Sequence, residues 1–155
     1  MLNLITDRTA RDVARLQELN AKGWANMSES ERTEWSKVSK GAYNYTDLNR
    51  VESAVDYLAG QLKAVGYPVE ILPVRSWSAS DVPTLSDMTR YLENVRRIRA
   101  AFVTLNTTPR TPASMAGLTY SGANTIEQIL ADVEVLMGNM VSAFTRSGEL
   151  FGGEW

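Results

Sequence analysis

The chain has 155 residues and a mass of 17.2 kDa, enough for one compact unit that buries about two-thirds of its unfolded surface. Its 16 Lys and Arg against 18 Asp and Glu leave a net charge of −2 and a pI near 5.2, too even a balance to hold nucleic acid or an acidic membrane by bulk charge. With neither His nor Cys, it lacks Ser-His and Cys-His nucleophile pairs, imidazole or thiolate metal sites and disulfides, so only carboxylate chemistry, with or without Mg²⁺ or Ca²⁺, passes this filter.

Met1 to Ile5 is apolar, but Asp7 and Arg8 follow at once, so no signal peptide is expected. No window approaches the roughly 20 apolar residues of a membrane span. From Thr6 to Lys22, Val13, Leu16 and Leu19 recur at helical spacing and Gly23 supplies a stop, which predicts an amphipathic helix. Ser28 and Glu31 form a capping box for a short helix with Trp35 and Val38 on its buried side and Gly41 as its stop. Trp24 and Trp35 are read as core residues that pack on each other or on the longer helices.

The third segment is the most regular. Leu48, Val51, Val55, Leu58, Leu62 and Val65 alternate three and four steps apart up to Gly66, a helix of about five turns. Tyr67-Pro68 breaks the period, and residues 67–82 read as an extended or irregular connector fastened by Trp77. A fourth helix opens at Pro83, with Thr84 as cap and Asp87 at the positive end of the dipole. Its buried line is Met88, Tyr91, Leu92, Val95, Ile98 and Phe102; Arg90, Glu93, Arg96, Arg97 and Arg99 make a basic face read as solvated or as a protein contact.

Residues 104–120, with Pro109, Pro112, Met115 and Tyr120, form an irregular excursion that either wraps the helices or reaches a partner. The last helix runs from Ala123 to Arg146 with Ile126, Ile129, Leu130, Val133, Met137, Met140 and Phe144 on one side. Gly138 inside it costs about 1 kcal/mol against Ala, so close packing against another backbone is expected there. Residues 147–155, with Leu150, Phe151 and Trp155, read as an extended docking tail.

Asn49-Arg50-Val51-Glu52 and Asn124-Thr125-Ile126-Glu127 share one pattern, Asn, any residue, a branched apolar residue, Glu. Each fits a capping box, either as two independently capped helices or as the trace of a duplicated helix-loop unit. The fold expected is mainly α: a small bundle of three long helices with one or two shorter N-terminal ones, divided into 1–66, the connector, 83–146 and the tail.

The phrases Leu4-Ile5-Thr6-Asp7-Arg8-Thr9 and Lys40-Gly41-Ala42-Tyr43-Asn44-Tyr45-Thr46-Asp47-Leu48-Asn49-Arg50-Val51 resemble a family of small proteins encoded in phages and prophages of Gram-positive bacteria. Asp81-Val82-Pro83-Thr84, Tyr91-Leu92-Glu93-Asn94-Val95, Pro112-Ala113-Ser114-Met115, Ala123-Asn124-Thr125-Ile126-Glu127 and Ser147-Gly148-Glu149 extend the resemblance over nearly the whole chain. Members are encoded among tail-structure genes, mostly without assigned activity. The resemblance therefore implies a virion component of the tail, at the baseplate, tail tip or fibre attachment, made in the host cytoplasm, and it carries over no catalytic residue.

The leading expectation is a non-enzymatic protein that docks to other tail proteins and to its own copies in a ring or trimer, without cofactor, nucleic acid or membrane. Pro109, Pro112, Met115, Tyr120, Leu150, Phe151 and Trp155 are its candidate partner contacts. Receptor or carbohydrate binding through Trp24, Trp35, Trp77 and Trp155 is the alternative. Cell-wall hydrolysis ranks below both, because the acids sit at helix starts or on polar faces; Glu52 and Asp56, four apart, are read as a wet helix face and not as a metal site.

Overall fold

A computed structural model describes residues 1–37 and 40–151, with side chains to Thr145. Five α-helices and no strand occur among them: α1 (Ala10–Lys22), α2 (Glu29–Ser36), α3 (Tyr45–Ala64), α4 (Leu85–Ala101) and α5 (Tyr120–Phe151). A 3-10 turn at Trp24–Asn26 joins α1 to α2. The mainly helical reading holds, while several boundaries and roles differ from those expected.

The three long helices run in the same direction. Arg90, early in α4, bonds Glu52, early in α3, and Arg50 of α3 bonds Glu127, early in α5. At the far end Tyr67, just past α3, meets the ring of Phe102, just past α4, edge to face at 5.0 Å. Parallel neighbours need a return path as long as a helix: α3 spans about 30 Å, which extended chain covers in about nine residues. Residues 65–84 and 102–119 supply two such paths, and residues 1–8 lie as a third extended strap along α5.

The core is a single seam between α3, α4 and α5. Val51, Leu58, Leu62, Val95, Ile98, Ile126, Ile129, Leu130 and Val133 are inaccessible to solvent, and Trp77 from the 65–84 strap closes one side. α3 ends at Gly66, whose φ of 90° lets the Tyr67 N–H reach the Leu62 carbonyl at 2.8 Å, a Schellman closure.

α1 and α2 form a hairpin that packs on itself, with Leu19 and Met27 buried inside it. α1 starts at Ala10 and not at Thr6, because Thr9 and Asp12 complete a capping box and the residues before them belong to the strap. α2 opens on the Ser28 and Glu31 box and stops at Ser36, before Gly41; Val38 lies outside the described residues. Gly41 has another role, since a Cβ there would lie 2.2 Å from the Asp12 carbonyl oxygen. Trp24 and Trp35 are paired edge to face at 5.7 Å but stay about half exposed, at 53% and 43%, so they are not core residues.

α5 departs most from expectation. It begins at Tyr120, where the Thr119 hydroxyl accepts the Gly122 N–H at 3.1 Å, and continues helical through Gly148 to Phe151. Leu150 and Phe151 therefore belong to a helix and not to an extended tail, while Trp155 lies outside the described residues. The helix passes through Gly148, a residue type that often follows a helix end, and so outlasts the expected Arg146. Gly138 meets no backbone: nothing lies within 4 Å of the position its Cβ would take.

Candidate functional site

Two kinds of feature stand out, a buried polar framework that holds the straps and two uncovered apolar surfaces at opposite ends of the bundle. The framework rests on one side chain repeated on each long helix. Asn49 of α3 accepts the Trp77 N–H at 2.7 Å and donates to the Trp77 carbonyl at 2.8 Å. Asn94 of α4 does the same to Leu72 at 2.7 and 2.9 Å, and Asn124 of α5 to Arg8 at 3.0 and 2.9 Å. A carboxamide carries one donor edge and one acceptor, the complement of a single peptide residue in extended conformation, so each Asn grips a strap as a neighbouring strand would.

Asn49, Glu52, Asn124 and Glu127 are therefore not helix caps. The caps are Asn44 and Thr119, each the same distance upstream, and Asn44 forms its box with Asp47. The shared Asn-x-x-Glu pattern marks a clamp: Asn takes the backbone of one strap residue and Glu its side chain. Glu52 accepts from the Trp77 indole at 3.4 Å and from Arg90, and Glu127 accepts from Arg8 at 2.6 Å. Thr84 and Asp87 do cap α4, as expected, and the Thr84 hydroxyl and N–H hold the Asp87 carboxyl below its usual range.

Glu127 is the centre of a buried charge cluster. It takes hydrogen bonds from the Ile5 N–H at 2.6 Å, from Arg8, and from Arg50 Nε at 2.8 Å and Nη2 at 2.7 Å. Asp47, also buried, accepts from Arg8 at 2.9 Å and from Arg50. Two guanidinium groups and two carboxylates thus sum to zero charge, with Arg8, Asp47 and Glu127 buried and Arg50 reaching the surface at 16% exposure. Burial works against the charge on Arg50, yet its bonds to Glu127 and Asp47 outweigh that and raise its pKa. Tyr43 and Tyr91 join hydroxyls beside the cluster, and burial pushes both phenols upward.

The basic face of α4 is likewise spent inside the molecule. Arg97 donates to the Glu70 carbonyl, and Arg99 to those of Pro109 and Thr108, tying both crossings to α4. Arg96 and Arg97 share Glu93, and Arg90 takes Glu52, so Glu52 is a buried ion-pair partner and not part of a wet face. The 104–120 excursion wraps the helices: Thr108 is buried and donates to Asp132 at 2.7 Å, and Met115 and Leu118 pack on the core. Pro109 and Pro112 are half-buried, whereas Tyr120 is exposed on the first turn of α5.

The first uncovered surface is a groove of about 610 Å³ at the N-terminal end of the bundle, between the start of α4 and residues 113–118. Pro83, Leu85, Met88, Leu92, Met115 and Leu118 give it an apolar floor, and Met115 is the one expected partner contact that lines it. The second surface is α5 itself. Among the described side chains its last solvent-excluded one is Met137, yet the helix backbone runs on to Phe151, about 21 Å beyond it. The seam that buries Ile126, Leu130 and Val133 continues along this arm as Met140 and Phe144; Met140 is half-buried, Val141 lines a cavity with Gln61 and Val65 at the end of α3, and Phe144 is 70% exposed.

Comparisons with protein families, with curated proteins and with solved structures find no match to this chain. Among the described residues no group of three or more acidic side chains is placed to hold a metal ion, and no helix is long and apolar enough to cross a membrane.

Proposed function

We propose that this protein is a non-enzymatic structural component of a phage tail that works by docking, with the α5 arm as its principal contact. The observation that carries the reading is the apolar seam of α5, which outlasts the bundle and leaves Phe144, and beside it the partly exposed Val141, facing water. A helix with one apolar stripe and no neighbour is suited to a groove on another protein. The commitment of Glu52, Asp47 and Glu127 to arginine clamps supports the non-enzymatic part, since each carboxylate already has its partners. The placement in a tail rests on the resemblance to tail-encoded proteins, and other tail proteins are the partners it implies.

Mass spectrometry of purified particles made with this gene tests the reading. The protein is expected in the particle at a stoichiometry of a ring or trimer, and a chain ending at Gly138 is expected to fold but to be lost from it. Absence of the full chain from particles, or normal incorporation of the shortened one, overturns the reading.

One observation favours a second reading, receptor or carbohydrate binding. Trp24 and Trp35 form an exposed aromatic pair on the hairpin, with Arg32 set over the Trp24 ring at 5.3 Å. Trp77 is no part of such a platform, because it is 4% exposed and faces the core. A glycan-array signal abolished by Trp24→Ala would carry this reading, and an array blank for the wild type removes it.

A further inference from the structure

We infer that the groove between α3 and α5, where it continues past the 1–8 strap, receives a short extended segment of a partner protein that is apolar and uncharged. This rests on the docking reading above and deepens it by naming where a partner segment lies and in what conformation.

The strap marks a track. Asn124, Glu127 and Glu134 stand at helical spacing on one stripe of α5 and bond the backbone N–H groups of Arg8, Ile5 and Leu2 in that order, so the strap runs antiparallel to the helix. The next positions on the stripe are Gly138 and Val141, and both line a cavity of about 510 Å³ that Met1 also borders. From α3, Tyr57, Gln61 and Val65 line it, four residues apart on one stripe of that helix. The volume is that of a pocket able to hold a ligand, and the roughly 10 Å of helix from Glu134 to Val141 is the length of about three extended residues.

The polar groups of the cavity select extended backbone. In this chain a carboxamide on a long helix meets an extended residue three times, through Asn49, Asn94 and Asn124. Two more carboxamides, Gln61 and Asn139, line the cavity, and neither side chain has a hydrogen-bond partner among the described residues. Each offers an acceptor and a donor edge, the complement of an extended peptide residue; a helical partner has its backbone groups already paired along its length. Gly138 suits the same occupant. Nothing lies within 4 Å of the position its Cβ would take, so a second main chain can come close to α5 on the line of the track. That gives a use to a glycine that the bundle itself does not pack against.

The walls set the side chains. Val135, 55% exposed, and Val141, 42% exposed, join Val65 and the buried Met137 in an apolar lining. Glu134 is the one charged side chain among the described residues of the cavity, and the Met1 ammonium and the Leu2 N–H already hold it. A charged residue of the partner would lose water there without gaining a counter-ion.

Titration of isotope-labelled protein with the capped peptide acetyl-Thr-Val-Leu-Val-Thr-amide, followed by amide chemical shifts, tests the inference. So short a segment is expected to bind with a Kd on the order of 1 mM, with shifts concentrated at Gln61, Gly138 and Asn139. The same peptide N-methylated at its Leu lacks one backbone donor and is expected to bind about fivefold more weakly, and Gln61→Ala to weaken the parent peptide about tenfold. Gly138→Val favours the helix, and circular dichroism checks that the variant is folded, but its side chain fills the track and is expected to abolish the shifts. A titration without shifts at these amides up to about 10 mM peptide, equal binding of the N-methylated peptide, or unchanged binding to the Gly138→Val protein overturns the inference. A blank titration for a chain that still needs its arm to enter particles overturns the track and leaves the docking reading standing; a bound peptide with the chain absent from particles does the reverse.

Discussion

Replacing Glu127 with Gln tests the charge cluster most directly. The amide has the same shape, so packing is retained, but the cluster passes from net zero to a net positive charge around the buried Arg8. The four hydrogen bonds to Glu127 change as well: two come from Arg50, one from Arg8 and one from the Ile5 N–H, and a Gln amide group turns a donor toward some of these donors. Leaving a buried charge uncompensated costs about 3–5 kcal/mol, a large part of the 5–15 kcal/mol that holds a domain together. For a chain of this size each kcal/mol is worth about 2–4 °C, so calorimetry should show the melting temperature falling by about 6–20 °C. A charge-balanced control sharpens the test. Arg8→Met with Glu127→Met removes one charge of each sign and leaves the Arg50–Asp47 pair, so the double variant should be more stable than either single change alone. A Glu127→Gln protein melting within about 2 °C of wild type, or a double variant that loses the sum of the two single losses, would refute the reasoning.

Three further outcomes are expected. Ala in place of Asn49, Asn94 or Asn124 removes two hydrogen bonds and should cost about 2–3 kcal/mol each, with amide exchange accelerated first at Trp77, Leu72 and Arg8 respectively; equal acceleration of all three by any one change would contradict separate clamps. Gly41→Ala forces a Cβ against the Asp12 carbonyl, and a cost of about 1–3 kcal/mol in urea unfolding, with local loosening of α1, is expected; an unchanged midpoint would deny the contact. In the hairpin, the Lys22 ammonium, then the Ser28 N–H, draw the Glu31 carboxyl from its ordinary 4.5 down to about 2. A lowered folded pKa means the contribution is complete above about pH 4.5 and is lost as pH falls toward 2, so carbon-detected NMR should place the Glu31 titration near 2, and a midpoint above 4 counts against the ion pair.

Much of the fold was legible in periodicity. The seam from Leu48 to Leu62 and that from Tyr91 to Ile98 are buried as their spacing predicts, because three- and four-residue steps place side chains on one face of a helix whatever its neighbours are. The helix direction was not legible: nothing local distinguishes a strap that returns the chain from a loop that merely turns it. The Asn-x-x-Glu pattern is visible in the sequence, but its task is not. Asn49 with Glu52 satisfies the capping spacing as well as Asn44 with Asp47 does, and only the position of Trp77, distant in sequence, decides between them. The signal that could have separated them is Asn94, which sits among apolar neighbours on a helix with its own cap and is 1% exposed. The continuation of α5 from Arg146 to Phe151 is not legible because a glycine at 148 resembles a stop, whereas a single interior glycine lowers helix stability without ending a helix.

The strap formed by residues 1–8 has a consequence for biosynthesis. Arg8 closes on Glu127, 119 positions later, and Leu2 on Glu134, 132 positions later, so each strap residue waits for a partner made more than a hundred residues after it. Until then two arginines and two acids of the future interior stay hydrated, and the nascent chain can assemble only its hairpin and partial seams. Ring closure over so long a stretch makes acquisition of the native state late and slow compared with helical bundles joined by short turns.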